Sequence, residues 1–351
     1  VAFSHFFGVK IYVAFNIIYK PNEYDAVLAC MQKCRQMGVD AFILQDFAII
    51  PLIKSIMPDM VLHLSTQAGV HNAAGASAAE KMGFSRVILS RETLLEDIKE
   101  IRKCTGLEIP YFILGNGSNL LVSDGGIEGA VISLDALDGI EVRGGTLVCG
   151  AGASLKKVCL AARDASLSGL EFAYGIPGTV GGAIYMNAGA YGGDMSQAVK
   201  SVQVYDRDGN KKTLNAEQMK LGYRTSVFKS TDLIITSVEF ELKRGNYADI
   251  KAAMDGFLNR RREKQPLEYP SAGSTFKRPT GNFAGALIEK NNLKGVSVGG
   301  AQVSEKHAGF VINTGGASCR DVLTLIEKIQ NTVKQADGID LEPEVIFVGR
   351  E

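Results

Sequence analysis

Two glycine-rich stretches carry the residues best suited to chemistry. The first runs Gly115, Asn116, Gly117, Ser118, Asn119, and the second runs Tyr174, Gly175, Ile176, Pro177, Gly178, Thr179, Val180, Gly181, Gly182. Glycine has no Cβ, so closely spaced backbone N–H groups can come right up to a ligand, with Ser118 and Asn119 as polar partners. Such a cradle suits a pyrophosphate. A Gly/Asn/Ser run is also the composition of an ordinary turn, so one stretch alone discriminates poorly. A second stretch, followed by MNAGAYGGD at 186–194, favours the ligand-binding reading. The first is not a Rossmann fingerprint, which needs a helix opening on the glycines; here the chain passes into Leu120-Leu121-Val122 and then Ser123-Asp124-Gly125-Gly126.

Other polar groups have plainer explanations. His63, Thr66, Gln67 and His71 follow an apolar run and read either as a catalytic cluster or as strand-end and helix-capping residues. Cys30 and Cys34 lie one helical turn apart, but no His or second Cys pair accompanies them, so helix packing is expected and no metal site. The 38 basic residues cancel the 38 acidic ones, which leaves no global field to gather nucleic acid or an anionic membrane; an anionic ligand must be caught locally. With 46% hydrophobic residues in 351, two or three domains with real cores are expected. Neither a signal-peptide pattern nor an apolar run of about 18 residues is found, so the cytoplasm is the expected compartment.

The elements that must position these residues change character along the chain. From 9 to 104, apolar runs alternate with amphipathic stretches: Val9–Phe15 then Tyr24–Met37, Ala41–Leu44 then Ile49–Ile56, Val61–Leu64 then Ala74–Met82, Arg86–Leu89 then Leu94–Lys103. Continuously apolar runs such as AFIL and RVIL predict parallel strands covered on both faces, and Gly38 and Gly83 stand where helices should stop. This is an α/β half-barrel of about four βα units. Beyond Leu107 short strands dominate (EIPYFIL, AVISL, IEVRGGTLVCGAGA, VKSVQVYDRDG), with helices expected at Ser154–Ser166, Ala248–Lys264, Phe283–Asn291 and Cys319–Gln335. That part is α+β. The expected domains are 1–106, 107–263, 264–340 and a last segment, 341–351.

In order and without large gaps from about Ile109 onward, GNGSNLLVSDGG, GAGASLKKV, GLEFAYGIPGTVGGAIYMNAGAYGG, LGYRTSVFK, PSAGSTFKRP, GGAQVSEKHAGFVIN and LEPEV resemble the UDP-N-acetylenolpyruvylglucosamine reductase family. The resemblance implies an FAD-binding domain of the vanillyl-alcohol-oxidase type (107–263), a small α/β substrate domain (264–340), NADPH as hydride donor, and UDP-N-acetylglucosamine enolpyruvate as substrate in peptidoglycan precursor synthesis. It implies a monomer. It assigns FAD to Gly115, Asn116, Gly117, Ser118, Asn119, Gly175, Ile176, Pro177, Gly178, Thr179, Gly181 and Gly182. Arg224 matches the position that holds the substrate carboxylate, a task suited to a permanent fork-shaped cation, because charge develops toward that group during hydride addition. Glu344 matches the position of a protonated carboxyl that donates to the developing enol, and Ser274 that of the acid returning a proton to the neighbouring carbon. Tyr223, Arg278, Lys294 and His307 match contacts to the diphosphate and sugar.

The first 105 residues resemble something else. GVKIYVAFN, GVDAFILQD, LHLSTQAGVHN and GFSRVILSRE are similar to part of the barrel of the collagenase-like peptidase family, whose closed form needs eight βα units. This segment stands where the reductase family carries its first flavin-contacting βαβ lobe with an Asn-Thr-Thr then Gly-Gly pattern, which is absent here. Two alternatives to an active reductase follow: an inactive or unstable fusion that has lost part of the FAD site, and a peptidase-family fragment.

Overall fold

The computed structural model describes residues 10–88, 111–206 and 208–349, together with Val1 and His5. The chain divides into two compact units, Val1–Ile109 and Pro110–Glu351.

In the N-terminal unit, β1 (Tyr12–Phe15), β2 (Ala41–Leu44), β3 (Leu62–Leu64) and β4 (Arg86–Val87) form one parallel sheet in sequence order. The helices α1 (Tyr24–Gln36), α2 (Ile50–Ile56) and α3 (Ala73–Lys81) connect them. AFIL forms a strand because both of its faces are covered: Phe42 and Leu44 are fully buried beside Met31, Ile53, Leu62 and Leu64. Gly38 and Gly83, at φ 86° and 91°, take the left-handed conformation that ends α1 and α3. Asn72 starts α3, its side chain accepting the Gly75 N–H at 2.9 Å. The helix expected at Leu94–Lys103 lies outside the described residues.

The C-terminal unit is α+β. It opens with β5 (Tyr111–Leu114), β6 (Leu120–Val122) and β7 (Ala130–Ser133); β5 pairs with β7 in parallel. Next come β8 (Ile140–Arg143), β9 (Thr146–Gly150), helix α4 (Leu155–Asp164) and helix α5 (Val180–Met186). Then follow β10 (Val199–Tyr205), β11 (Lys211–Asn215), β12 (Ile234–Glu241) and the long helix α6 (Tyr247–Lys264). Five of these strands make an antiparallel sheet in the order β11-β10-β12-β9-β8. Alternation along them sends Leu147, Cys149, Val202, Val204, Val238 and Phe240 into a core that α4 closes with Leu155, Val158, Cys159 and Ala162, an i, i+3, i+4, i+7 stripe.

A second core gathers α7 (Ala284–Lys290), the three-stranded sheet of β13 (Ser297–Val298), β14 (Ala301–Val303) and β15 (Val311–Asn313), and α8 (Cys319–Asp337) around Ile288, Val303, Leu325 and Ile329. A capping box between Ser318 and Asp321 starts α8, and Gly338 at φ 71° ends it. The chain then returns to the first core's side: β16 (Ile346–Val348) pairs in parallel with β6. Among the described residues no helix is long and apolar enough to cross a membrane.

One element departs from the sequence expectation. Gly181 and Gly182 lie in the first turn of α5 and not in an open loop. Two glycines disfavour a helix by about 1 kcal/mol each. The Thr179 cap and the burial of Val180, Ala183 and Ile184 offset that cost.

Candidate active site

The two glycine stretches face each other. A Cβ on Gly115 would lie 2.5 Å from Thr179 Oγ1, so glycine is required there by close approach. Asn116 Nδ2 donates to Pro177 O at 2.8 Å, tying one loop to the other. Gly117 turns through φ 64°, and among the described residues the backbone N–H groups of Asn116, Gly117 and Ser118 have no acceptor within the protein. Successive donors without a protein acceptor in a glycine turn fit an anion such as a diphosphate.

The second loop differs from the expectation of free donors. Five of its N–H groups are used within the protein: Ile176 donates to Ala173 O, Gly178 to Ile176 O and Gly182 to Thr179 Oγ1 inside the stretch, while Val180 donates to Ala153 O and Gly181 to Ala151 O of a neighbouring segment. Gly181 is needed for packing, since a Cβ there would come within 2.9 Å of Ala151 Cβ. The loop therefore supplies shape, and the first loop supplies donors. Between them lies a cleft of about 410 Å³ whose walls include Asn116, Gly175, Ile176, Pro177, Gly178 and Thr179. Lys156 and Arg262 line it as cations and Asp135 as an acid, none of them singled out by the sequence. Arg262 belongs to the basic last turn of α6, where cations are favoured by the helix dipole.

The first loop also touches two more of the motifs. Asn119 Nδ2 donates to Glu344 O at 3.1 Å, and Ile346 N–H donates to Asn119 O. A Cβ on Gly273, next to Ser274, would sit 3.8 Å from Ser118 O. Glu344 N–H donates to Thr275 O at 2.8 Å, so Glu344 is bonded to the residue that follows Ser274. Ser274 itself is exposed.

Arg224 reaches the same place from a third segment. It occupies the tight turn Gly222–Thr225, at φ 52°, where the chain closes on itself through Gly222 and Thr225. Its Nε donates to Glu344 Oε1 at 2.6 Å and its Nη2 to Gly189 O at 3.0 Å. With the side chains only 20% and 11% exposed, this charge-assisted pair is screened far less than a surface salt bridge. Tyr223 stands beside it, its Oη accepting the Arg278 N–H at 3.1 Å. Arg278 carries its guanidinium over the Phe283 ring.

Lys294 and His307 form an adjoining group. Lys294 Nζ pairs with Glu289 Oε1 at 2.7 Å. Burial pushes the His307 imidazole below its ordinary pKa, with Lys294 and Lys264 adding to the effect and Glu289 opposing it. His307 Nδ1 accepts the Gly309 N–H, and Gly309 O in turn accepts the Thr275 N–H, which connects this group to Ser274. Lys229 was not marked out by the sequence. Burial, then Lys277 and Arg224, hold its ammonium below the usual lysine range, while Glu344 and Glu342 oppose this. The only trace in sequence is its place in the Phe228-Lys229 pair just after the Arg224 turn.

The polar cluster of the N-terminal unit is built differently. His63 is buried within β3, edge-on to Tyr12 at 4.8 Å, and burial with the nearby Arg86 cation lowers its pKa to about 4. Thr66 and Gln67 form a single turn capped by Ser65 Oγ, and the His71 ring bonds the Gly69 carbonyl of that same turn. Cys30 and Cys34 of α1 are free thiols, the first exposed and the second buried. Among the described residues no group of three His, Cys, Asp or Glu could hold a metal.

Comparison with known proteins supplies the family. Residues 265–348 match the model described as UDP-N-acetylenolpyruvoylglucosamine reductase, C-terminal domain, residues 87–215 the model of an FAD binding domain, and residues 1–121 that of Peptidase family U32. The FAD-binding match thus begins ahead of Ile109 and shares 87–121 with the peptidase-family match. The UDP-N-acetylenolpyruvoylglucosamine reductase of Clostridium botulinum (strain Hall) is 52% identical over 272 residues, covering 77% of this chain and 89% of the relative. That of Clostridium perfringens (strain SM101) is 51% identical over 254 residues, covering 72% and 84%. The crystal structure of the Thermus caldophilus reductase is similar at 36% identity and a TM-score of 0.62, covering 72% of this chain and 89% of that one. With identity of this extent over more than two thirds of its length, the chain belongs to the UDP-N-acetylenolpyruvoylglucosamine reductase family.

Proposed function

We propose that this protein reduces UDP-N-acetylglucosamine enolpyruvate to UDP-N-acetylmuramate with FAD and NADPH, in cytoplasmic peptidoglycan precursor synthesis, and that it acts as a monomer. The observation that carries this reading is the meeting of four separate motifs at one point: the GNGSN nest, the Arg224 turn, the Ser274 loop and the Glu344 strand entry.

The residues present fit FAD. The N–H groups of Asn116–Ser118, which have no protein acceptor, the Gly175–Thr179 wall and the cations Lys156 and Arg262 suit a nucleotide diphosphate. When bound, the flavin supplies the hydride it takes from NADPH. Arg224 would hold the substrate carboxylate and stabilise the charge that grows on it. Because Arg224 is paired with Glu344, a substrate carboxylate held by Arg224 would lie beside the Glu344 carboxyl, which stands at the position the family uses to polarise the developing enol. Ser274 returns a proton to the adjacent carbon, its exposed hydroxyl reachable from solvent. Tyr223, Arg278, Lys294 and His307 would hold the sugar nucleotide.

We assign residues 107–263 to the flavin domain, 264–340 to the substrate domain and 341–351 to the segment that brings Glu344 back, with 1–106 as the βα half-barrel preceding them. The pairing of β16 with β6 supports the last assignment. The test is direct. Purified protein supplied with FAD should become yellow and oxidise NADPH only when the enolpyruvyl sugar nucleotide is present; protein that stays colourless overturns the reading, in favour of an inactive fusion.

A further inference from the structure

Arg224 lies in a turn that needs outside support. A non-glycine residue at φ 52° is strained by about 1 kcal/mol, and four residues closed by a Gly222–Thr225 bridge do not fix their own direction. The support comes from one short stretch, the end of α5. Asn187 is 2% exposed and sits in the left-handed conformation at φ 42°, as the residue that stops α5. Its Nδ2 donates to Gly222 O at 2.9 Å, and its Oδ1 accepts the Ser196 N–H at 3.0 Å. Both ends of the amide are therefore assigned by their partners: a carbonyl demands the donor and an N–H the acceptor. Two residues earlier, Tyr185 O accepts the Ser226 hydroxyl at 2.6 Å, fixing the far side of the turn. Two residues later, Gly189 O accepts from the guanidinium itself. The cap at the other end of this seven-residue helix is Thr179, which touches Gly115 of the donor nest.

We propose that Asn187 is a positioning residue: it sets the Tyr223–Arg224 turn against α5, and so fixes the distance between the carboxylate-holding cation and the nest that binds the flavin diphosphate. This rests on the assignment of Arg224 to the substrate carboxylate. The side chain required is narrow. It must be short, tolerate positive φ, and present one donor and one acceptor at once; asparagine does all three, aspartate lacks the donor, and glycine keeps only the backbone freedom.

The experiment compares Asn187→Gly, Arg224→Lys and the double variant in the full chain, with FAD affinity by titration, thermal stability, and kcat and KM per bound flavin. Asn187→Gly keeps the backbone conformation and removes both side-chain bonds. It is expected to hold FAD within about twofold of the parent and to lose about 10- to 100-fold in kcat/KM, the scale of a misplaced reacting group. Combined with Arg224→Lys it should add almost nothing, because both variants break the same placement. Asn187→Gly with unchanged kinetics per bound flavin, or with losses that multiply those of Arg224→Lys, overturns the inference while leaving Arg224 in its role. Arg224→Lys without effect overturns the reading of Arg224 and this inference with it. Should Asn187→Gly fail to fold, Ser226→Ala releases the other end of the same turn and carries the same comparison.

Discussion

The protein contains two polar clusters of opposite construction. In the N-terminal unit, His63, Ser65, Thr66, Gln67 and His71 come from one stretch of chain, and the side-chain hydrogen bonds of Ser65 and His71 close within it. In the C-terminal unit, Arg224 and Glu344 meet across 120 residues, and Asn119 and Glu344 across 225. A local turn satisfies its polar groups at little entropic cost, whereas groups brought from distant segments are held together only by a folded scaffold. Chemistry is therefore sought where the chain converges, and capping where it merely bends.

The sharpest way to break this contrast is to remove a converging residue. Arg224→Ala is expected to lower kcat/KM about 10²- to 10³-fold, since under the proposed assignment it removes the charge that stabilises the transition state, and it strands Glu344, only 11% exposed. Steady-state kinetics per bound flavin measure it, and a loss under tenfold would mean that another cation, with Lys229 the first candidate, holds the substrate carboxylate.

The same removal in the local cluster should act on stability alone. His63 is buried neutral with its pKa lowered to about 4 from 6.5. Above pH 6.5 the ring is neutral whether folded or not. As pH falls from 6.5 toward 4 the unfolded chain takes up a proton that the folded strand refuses, so stability drops across that window, by roughly 3 kcal/mol in all, and levels off below it. Protection factors of the β2 and β3 amides in the full chain, taken from hydrogen exchange after correction for the intrinsic rate at each pH, should fall between these pH values, and His63→Leu should flatten the dependence while leaving reductase kinetics unchanged. Loss of reduction in His63→Leu would erase the distinction between the two clusters.

Sequence pattern reveals these regions unequally. The βα alternation, the α4 stripe and the ends of α6, α7 and α8 are legible because burial periodicity and capping residues are local signals. Helix α5 is not, since Gly181 and Gly182 argue against it and only tertiary packing of Val180, Ala183 and Ile184 overrides them. The motifs around Gly115, Arg224, Ser274 and Glu344 are legible singly; that the second glycine stretch spends N–H groups inside the protein is not, because the acceptors Ala151 and Ala153 belong to another segment. Asn187 is hidden for the same reason: the carbonyl it holds lies 35 residues away.

A smaller effect probes the nest. Gly115→Ala forces a Cβ to within 2.5 Å of Thr179 Oγ1, and either the nest or the α5 cap must shift. FAD affinity should fall about tenfold, a loss of about 1.4 kcal/mol. Thr179→Ser in the same background keeps the offending oxygen and should not help. Thr179→Ala removes it and should recover part of the affinity, less the loss of the helix cap, worth about 1 kcal/mol. Equal affinity in all of these variants would separate the close approach of the two loops from flavin binding.

The smallest expected effect lies at the rim, where a residue assigned to the substrate is already paired within its own neighbourhood. Lys294 is bonded to Glu289, which is 59% exposed, so the pair contributes no more than about 1 kcal/mol and is screened by salt. Glu289→Gln frees the Lys294 charge for a doubly charged diphosphate, and KM should fall about twofold at low salt, a gain that fades as salt is raised. Glu289 also opposes the lowering of the His307 pKa. Its removal should push His307 further down and keep the imidazole neutral to lower pH, moving any acid limb in KM the same way. A rise in KM instead would mean that Glu289 orients Lys294 more than it neutralises it, and that the rim, like the convergent centre, depends on placement before charge.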